Sequence, residues 1–149
     1  MYLAEFNWGV LRYDWDDPRV ADFTNNLGFV SGLADKADGF IWRLSEAEME
    51  QAQLDPEGTL GANPRFASTL SVWRDASSLR HFVFNTVHKR FLDRRDEWYA
   101  PQGLRLVLWW IEEGHKPSIA EAKERADFLD ENGDSDFAFG WNYLETPTQ

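Results

Sequence analysis

Residues 71–110 read SVWRDASSLRHFVFNTVHKRFLDRRDEWYAPQGLRLVLWW. Three elements follow from this stretch. Ser71 to Trp73 close a strand that begins at Phe66. Asp75 caps a helical segment that runs to about Trp98, with a break or bend expected near Asn85 to Val87. Pro101-Gln102-Gly103 then turns the chain into a strand over Leu104 to Ile111. Two of the three histidines and four of the eight tryptophans lie here, so candidate chemistry concentrates in this stretch and the rest reads as scaffold.

Upstream, Tyr2 to Leu11 alternate as a strand. Asp17-Pro18 opens a helix as N-cap and first helical residue. Val20, Phe23, Leu27, Val30 and Ala34 then recur at helical spacing until Asp38-Gly39. Gly28 and Gly32 weaken that helix, which suits close packing. Phe40 to Leu44 is a short strand. From Ser45 to Pro64 the pattern fades into an acidic, Gln-rich stretch with one helical turn around Glu46 to Gln53. A loop of this length reads as a lid, a partner contact or a mobile segment. Downstream, Ser118-Ile-Ala-Glu121 is a capping box. The helix it opens ends at Asn132-Gly133, and Phe137 to Tyr143 reads as a final short strand.

The order of elements predicts an α+β fold. It is a ferredoxin-like split βαβ antiparallel sheet with helices on one face. One domain is expected over 1–149, with a core at 1–112 and a C-terminal helix-strand extension at 113–149. Strand parity sorts the side chains into two faces. One collects Tyr2, Phe6, Trp8, Phe40, Trp42, Leu44, Phe66, Leu70, Val72, Leu104, Leu106, Leu108 and Trp110. The other collects Glu5, Asn7, Arg43, Thr69, Ser71, Trp73, Arg105, Val107, Trp109 and Ile111. A bulge would move part of a list to the opposite face. Neither face is plainly polar, so one is expected to meet the helices and the other a second subunit. The competing reading is a monomer whose C-terminal extension covers the second face.

Composition narrows the classes of function. The net charge of -11 works against nucleic acid and against anionic membrane surfaces. With no cysteine, disulfides and thiolate metal sites are excluded. The opening YLAEFNWGVL carries no basic n-region, and no run reaches transmembrane length. The expectation is a soluble, cytoplasmic protein. No P-loop, dinucleotide glycine motif, HExxH or nucleophile elbow is present.

The order of elements, the strand-end Trp73 and the helix starting at Asp75 resemble the dimeric α+β-barrel superfamily. That superfamily includes antibiotic-biosynthesis monooxygenases and heme-degrading monooxygenases. YLAEFN, NPRF…LSVW, HKRFLDRRDEWY and LWWIEEGHKPSIAEAKER are similar to a bacterial domain-of-unknown-function family within it. The resemblance implies a homodimeric barrel. In the heme-degrading relatives an Asn on the first strand, a Trp on the third and a His on the second helix act together. Asn7 and Trp73 match by element, and the histidine is His81 or His88.

His81 and His88 are seven residues apart, too far along a helix for easy chelation of one metal. One of them, His88 foremost, reads as a general base or hydrogen-bond donor to a ligand; the other reading is a packed or exposed histidine without a role. Trp73, Trp109 and Asn7 could line a pocket for a flat aromatic ligand; core packing is the commoner explanation of the tryptophans. Arg43 and Arg105 sit mid-strand, where a charge needs a partner. Glu5 could be that partner, or one arginine could clamp an acidic substrate. Lys89, Arg90, Arg94 and Arg95 form a basic patch interleaved with acids. His115 is read as loop structure.

The leading functional expectation is a small-molecule-binding homodimer. It resembles cofactor-independent monooxygenases acting on aromatic or quinol-like substrates. His88 would be catalytic, and Asn7, Trp73, Trp109, Arg43 and Arg105 would bind substrate, with no cofactor and no metal. The first alternative is a heme-binding or heme-degrading enzyme using Asn7, Trp73 and His81 or His88. The second is a non-catalytic ligand-binding or interaction module.

Overall fold

The structure is a computed structural model, and it describes residues 1–55, 58–61, 63–85, 88–101 and 104–145. Four strands form one sheet: β1 (Tyr2–Val10), β2 (Phe40–Arg43), β3 (Phe66–Trp73) and β4 (Arg105–Ile111). All pairings are antiparallel and the order is β2-β3-β1-β4. The strands β1 and β2 are thus separated by β3, and β3 and β4 by β1, as a split βαβ arrangement requires.

Between β1 and β2 lie a 3-10 turn (Pro18–Val20), α1 (Ala21–Thr24) and α2 (Leu27–Asp35). Asp17 caps the turn by accepting from Arg19 N, with Pro18 in the first position, as the sequence indicates. The single helix expected here is interrupted at Asn25 and Asn26. The Asn26 side chain donates to the Asp22 carbonyl at 2.7 Å, a local bond that competes with the helical ladder. Gly28 and Gly32 face open space rather than a packed neighbour, so the close packing expected of them is absent.

Between β2 and β3 the helical turn expected around Glu46 to Gln53 is a full helix, α3 (Glu46–Leu54), capped by Ser45, whose hydroxyl accepts from Glu48 N. It is anchored rather than adrift. Met49 enters the core, and Gln53 accepts from Ser68 N and Ser68 Oγ, both at 2.8 Å. The helical segment after Asp75 is divided into α4 (Ala76–Asn85), α5 (His88–Asp93) and α6 (Arg95–Trp98). Residues 86–87 of the expected break, and residues 102–103 of the turn before β4, lie outside the described residues. After β4 come α7 (Ile119–Asn132) and α8 (Trp141–Glu145). The final strand expected over Phe137 to Tyr143 contracts to one antiparallel bridge, Phe139 with Leu108. Gly140 N turns away to Asp134 Oδ1, and α8 begins at the next residue.

Helices cover both faces of the sheet, not one. Leu3, Trp73 and Leu108 pack with Leu79 and Phe82 of α4, with Phe139, and with Val30 and Leu33 of α2. On the opposite face Ala4, Phe6, Leu70, Val72, Val107 and Trp109 pack with Met49 of α3 and with Ala122 and Ala126 of α7. The C-terminal segment therefore covers the second face, and the bare face on which a second subunit was expected is filled by the chain itself. A dimer built sheet against sheet would have to displace α3 and α7. A third cluster joins Leu11, Val20, Ala67, Trp98 and Tyr99 at one end of the sheet.

Two strands fall on faces other than those read from parity. Cross-strand partners share a face, and Glu5 pairs with Leu108, Asn7 with Leu106 and Phe6 with Val107. Leu106, Leu108 and Trp110 therefore share the Glu5 face, while Arg105, Val107, Trp109 and Ile111 lie on the other. In β2 a bulge between Phe40 and Trp42 puts Phe40 opposite Trp73 and Trp42 opposite Val72. One extra residue thus sends two aromatic rings to opposite faces.

Candidate functional site

The polar residues of β1 and β3 meet in the middle of the face covered by α2 and α4. Alternation places Leu3, Glu5 and Asn7 on this face of β1, directly across from Trp73, Ser71 and Thr69 of β3. Glu5 is only 4% exposed. Ser71 Oγ donates to Glu5 Oε2 at 2.9 Å, and Asn7 Nδ2 donates to Glu5 Oε1. Trp73 Nε1 donates to Ser71 Oγ at 3.0 Å, and Asn7 Nδ2 also reaches Thr69 Oγ1 at 2.5 Å. The chain of bonds runs from the buried indole of Trp73 through Ser71 and Glu5 to Asn7, and ends at the exposed Thr69.

Burial disfavours the charged carboxylate and raises the Glu5 pKa to about 7, against the opposing pull of the Asn7 and Ser71 hydrogen bonds. A carboxyl group that exchanges its proton near neutrality, fixed by two donors, can serve as a general acid or base. Leu108 on one side and the α4 residues beneath Trp73 keep its surroundings apolar.

Of the residues singled out in the sequence, the structure joins Asn7 and Trp73 in one network. Trp73 is 1% exposed and packs against Phe40 and Phe82, so its indole serves the core as well as the Ser71 bond. Arg43 lies across from Ser71 on the same side, but its guanidinium binds Asp35 at 2.7 and 3.2 Å. Trp109 is not with them. It is fully buried on the opposite face, with Nε1 donating to Glu121 Oε2 at 2.8 Å. Arg105 also faces that side, where it pairs with Asp130 at 2.9 Å. Both move because β4 pairs with β1 in the register that puts Leu106 and Leu108 on the Glu5 face. Glu5 therefore pairs with neither arginine.

His81 is exposed on α4. His88 is half-buried at the start of α5, with its Nδ1 bonded to the Val83 carbonyl at 3.3 Å. Burial lowers its pKa below the ordinary histidine value, against that hydrogen bond. The Phe82 ring packs against both His88 and Trp73, with centroids 4.9 Å from one and 5.2 Å from the other. Among the described residues no group of three or more His, Cys, Asp or Glu could hold a metal. The basic patch is largely self-paired: Lys89 with Asp93, and Arg94 with Glu97 and Asp22. His115 binds the Glu121 carboxylate at 2.6 Å.

Glu5, Ser71 and Thr69 complete the site and were not singled out as chemistry. A usable signal was present: Glu5 and Asn7 are two apart on one strand, as are Thr69, Ser71 and Trp73 on another. Such spacing puts polar side chains on one face of adjacent strands.

The architecture defines an α+β protein with a four-stranded antiparallel sheet and a buried, hydrogen-bonded carboxyl at its centre. The chain belongs to the family described as Domain of unknown function (DUF3291), whose model matches residues 2–149. Among solved structures it is similar to the crystal structure of NE2512, a protein of unknown function from Nitrosomonas europaea. The two share 12% identity with a TM-score of 0.50, over 78% of this chain and 95% of that one. At that identity the likeness concerns the fold alone. No curated protein matches the chain. Among the described residues no helix is long and apolar enough to cross a membrane.

Proposed function

We propose that this protein binds a small aromatic or quinol-like molecule and oxidises it in the manner of the cofactor-independent monooxygenases that its sequence resembles. Glu5 is the proton acceptor, and Asn7 orients the substrate. The observation that carries this reading is the Glu5 carboxyl, buried, doubly hydrogen-bonded and with a pKa raised to about 7. In such a reaction the substrate itself reduces oxygen once it has lost a proton. A ring CH2 becomes C=O with one atom of O2, and the other atom leaves with the two hydrogens as water. The protein supplies a proton acceptor, orientation and exclusion of water. Asn7 is half-buried and Thr69 exposed, so substrate approaches along the Asn7–Thr69 end of the network.

This assignment moves the base from His88 to Glu5. The His88 ring packs against Phe82, whereas Glu5 bonds Asn7 directly. The test is oxygen uptake with anthrone-type and quinol substrates, comparing the protein with Glu5→Gln. Turnover that falls by about two to four orders of magnitude in the variant, at unchanged fold, supports the reading. Equal turnover sinks the role of Glu5.

A second reading, a non-catalytic ligand-binding module, is favoured by the closure of Trp73 against Phe82. It predicts saturable binding of such a ligand with no oxygen consumption.

A further inference from the structure

We propose a second ligand site on the opposite face of the sheet, in a cleft between α7 and the ends of β1 and β4, that takes a small flat aromatic carboxylate. It is independent of the Glu5 reading. The cleft has a volume of about 240 Å³, below the usual range of about 300–1,000 Å³ for drug-sized ligands and suited to a single ring system.

Its floor is aromatic. Phe6 and Trp8 project from alternate positions of β1 and stack at 5.3 Å and 21°, with Phe66 of β3 beside them. Its wall is one stripe of α7: Lys123, Ala126, Asp127 and Asp130 recur at helical spacing and all line the cleft. Ala126 is the small member, and the room above the rings exists because no larger side chain stands there.

Arg105 sets the chemistry of the ligand's polar end. Arg105 is the direct cross-strand partner of Trp8, and its guanidinium lies over the Trp8 ring, 5.3 Å from the centroid. Trp8 Nε1 has no acceptor among the described residues, unlike the indoles of Trp73 and Trp109, which donate to Ser71 and Glu121. An indole N–H only donates, so a ligand acceptor that reaches it gains a hydrogen bond. A carboxylate is the acceptor that pairs best with the Arg105 guanidinium. Asp130 now holds Arg105, but the two side chains are 48% and 65% exposed. Such exposed pairs contribute little, so Arg105 can exchange Asp130 for a ligand carboxylate. Lys123, at the same rim, pairs with the exposed Asp127.

The experiment is a titration of the full-length, 15N-labelled protein with sodium benzoate, following the indole N–H resonance of Trp8, assigned with Trp8→Phe. The expected result is a saturable shift, half-complete at about 1 mM or below. Arg105→Gln should weaken it about tenfold, the effect of losing a charge-assisted hydrogen bond. Ala126→Phe should abolish it by filling the cleft. If that variant does not fold, Arg105→Gln at the protein's surface carries the test. The absence of a saturable shift up to about 10 mM benzoate overturns the site. Equal affinity for benzamide overturns the carboxylate, and equal affinity for acetate overturns the aromatic floor.

Discussion

Ser71 stands directly across the sheet from Glu5 and donates its hydroxyl to the buried carboxyl at 2.9 Å. The same hydroxyl oxygen accepts from Trp73 Nε1. One small side chain thus links the core indole to the titrating acid, and two consequences can be measured.

Folding stability should depend on Glu5 through pH. Its pKa is raised in the folded protein from 4.5 to about 7, so between those values the folded state holds a proton that the unfolded state has released. Stability from this group is full below about pH 4.5 and is lost as pH rises through about 7. The whole loss is about 3 kcal/mol. Glu5→Gln keeps the size and one acceptor but removes the charge. Urea unfolding at pH 5 and pH 8 should show a smaller difference in the variant. An identical difference would show that Glu5 is not the titrating group.

Ser71→Ala should move the Glu5 titration upward. The hydroxyl stabilises the ionised carboxylate, and its loss also leaves Trp73 Nε1 without its acceptor. The expected destabilisation is about 1–3 kcal/mol at pH 8. A carboxyl carbon NMR titration reads the shift directly, and a Glu5 curve that stays in place would break the proposed link.

His88 should act in the opposite sense to Glu5. Burial lowers its folded pKa below 6.5, so the unfolded state takes the proton first. Stability from this group is present above pH 6.5 and is lost as pH falls through the lowered folded value. Measuring His88→Leu in the Glu5→Gln background separates the two trends: unfolding midpoints at pH 5 and pH 7 should converge. A ring-proton titration of His88 at or above the ordinary value would contradict the burial argument.

Gly39→Ala should destabilise the fold by about 2 kcal/mol or more. Gly39 has φ of +83°, where a side chain costs about 1–2 kcal/mol. A Cβ would also run into Oγ and Cβ of Ser78, adding an overpacking cost. Ser78→Gly in the same variant removes the collision and should restore part of the loss in thermal denaturation. No restoration would assign the cost to backbone conformation alone.

Much of the fold was legible in the sequence because it is written in short-range patterns. Ser118 caps α7, as its spacing to Glu121 indicates, yet the Glu121 carboxylate does not complete the box. It turns to Trp109 and His115 instead, partners that sequence spacing does not reveal. The stretch around Glu46 is a nine-residue helix although its periodicity is faint. It is held by Met49 and Gln53 against β3, and such tertiary anchoring overrides weak local preference.

The sequence by itself determined the four strands, the helical segments between them, most of the stops and caps, and the alternation that puts Asn7 on the same face as Glu5. These depend on residues a few positions apart, so periods of two and 3.6 report them. Only the tertiary structure decided which face each strand's alternation joins. In β4 both faces are apolar, and hydrophobicity cannot choose between Leu108 and Trp109 as the neighbour of Glu5. The pairing register with β1 chooses, and a shift of one residue exchanges every side chain between faces. That long-range choice sends Trp109 and Arg105 away from Asn7, and it leaves Glu5, not an arginine or a histidine, at the centre of the site.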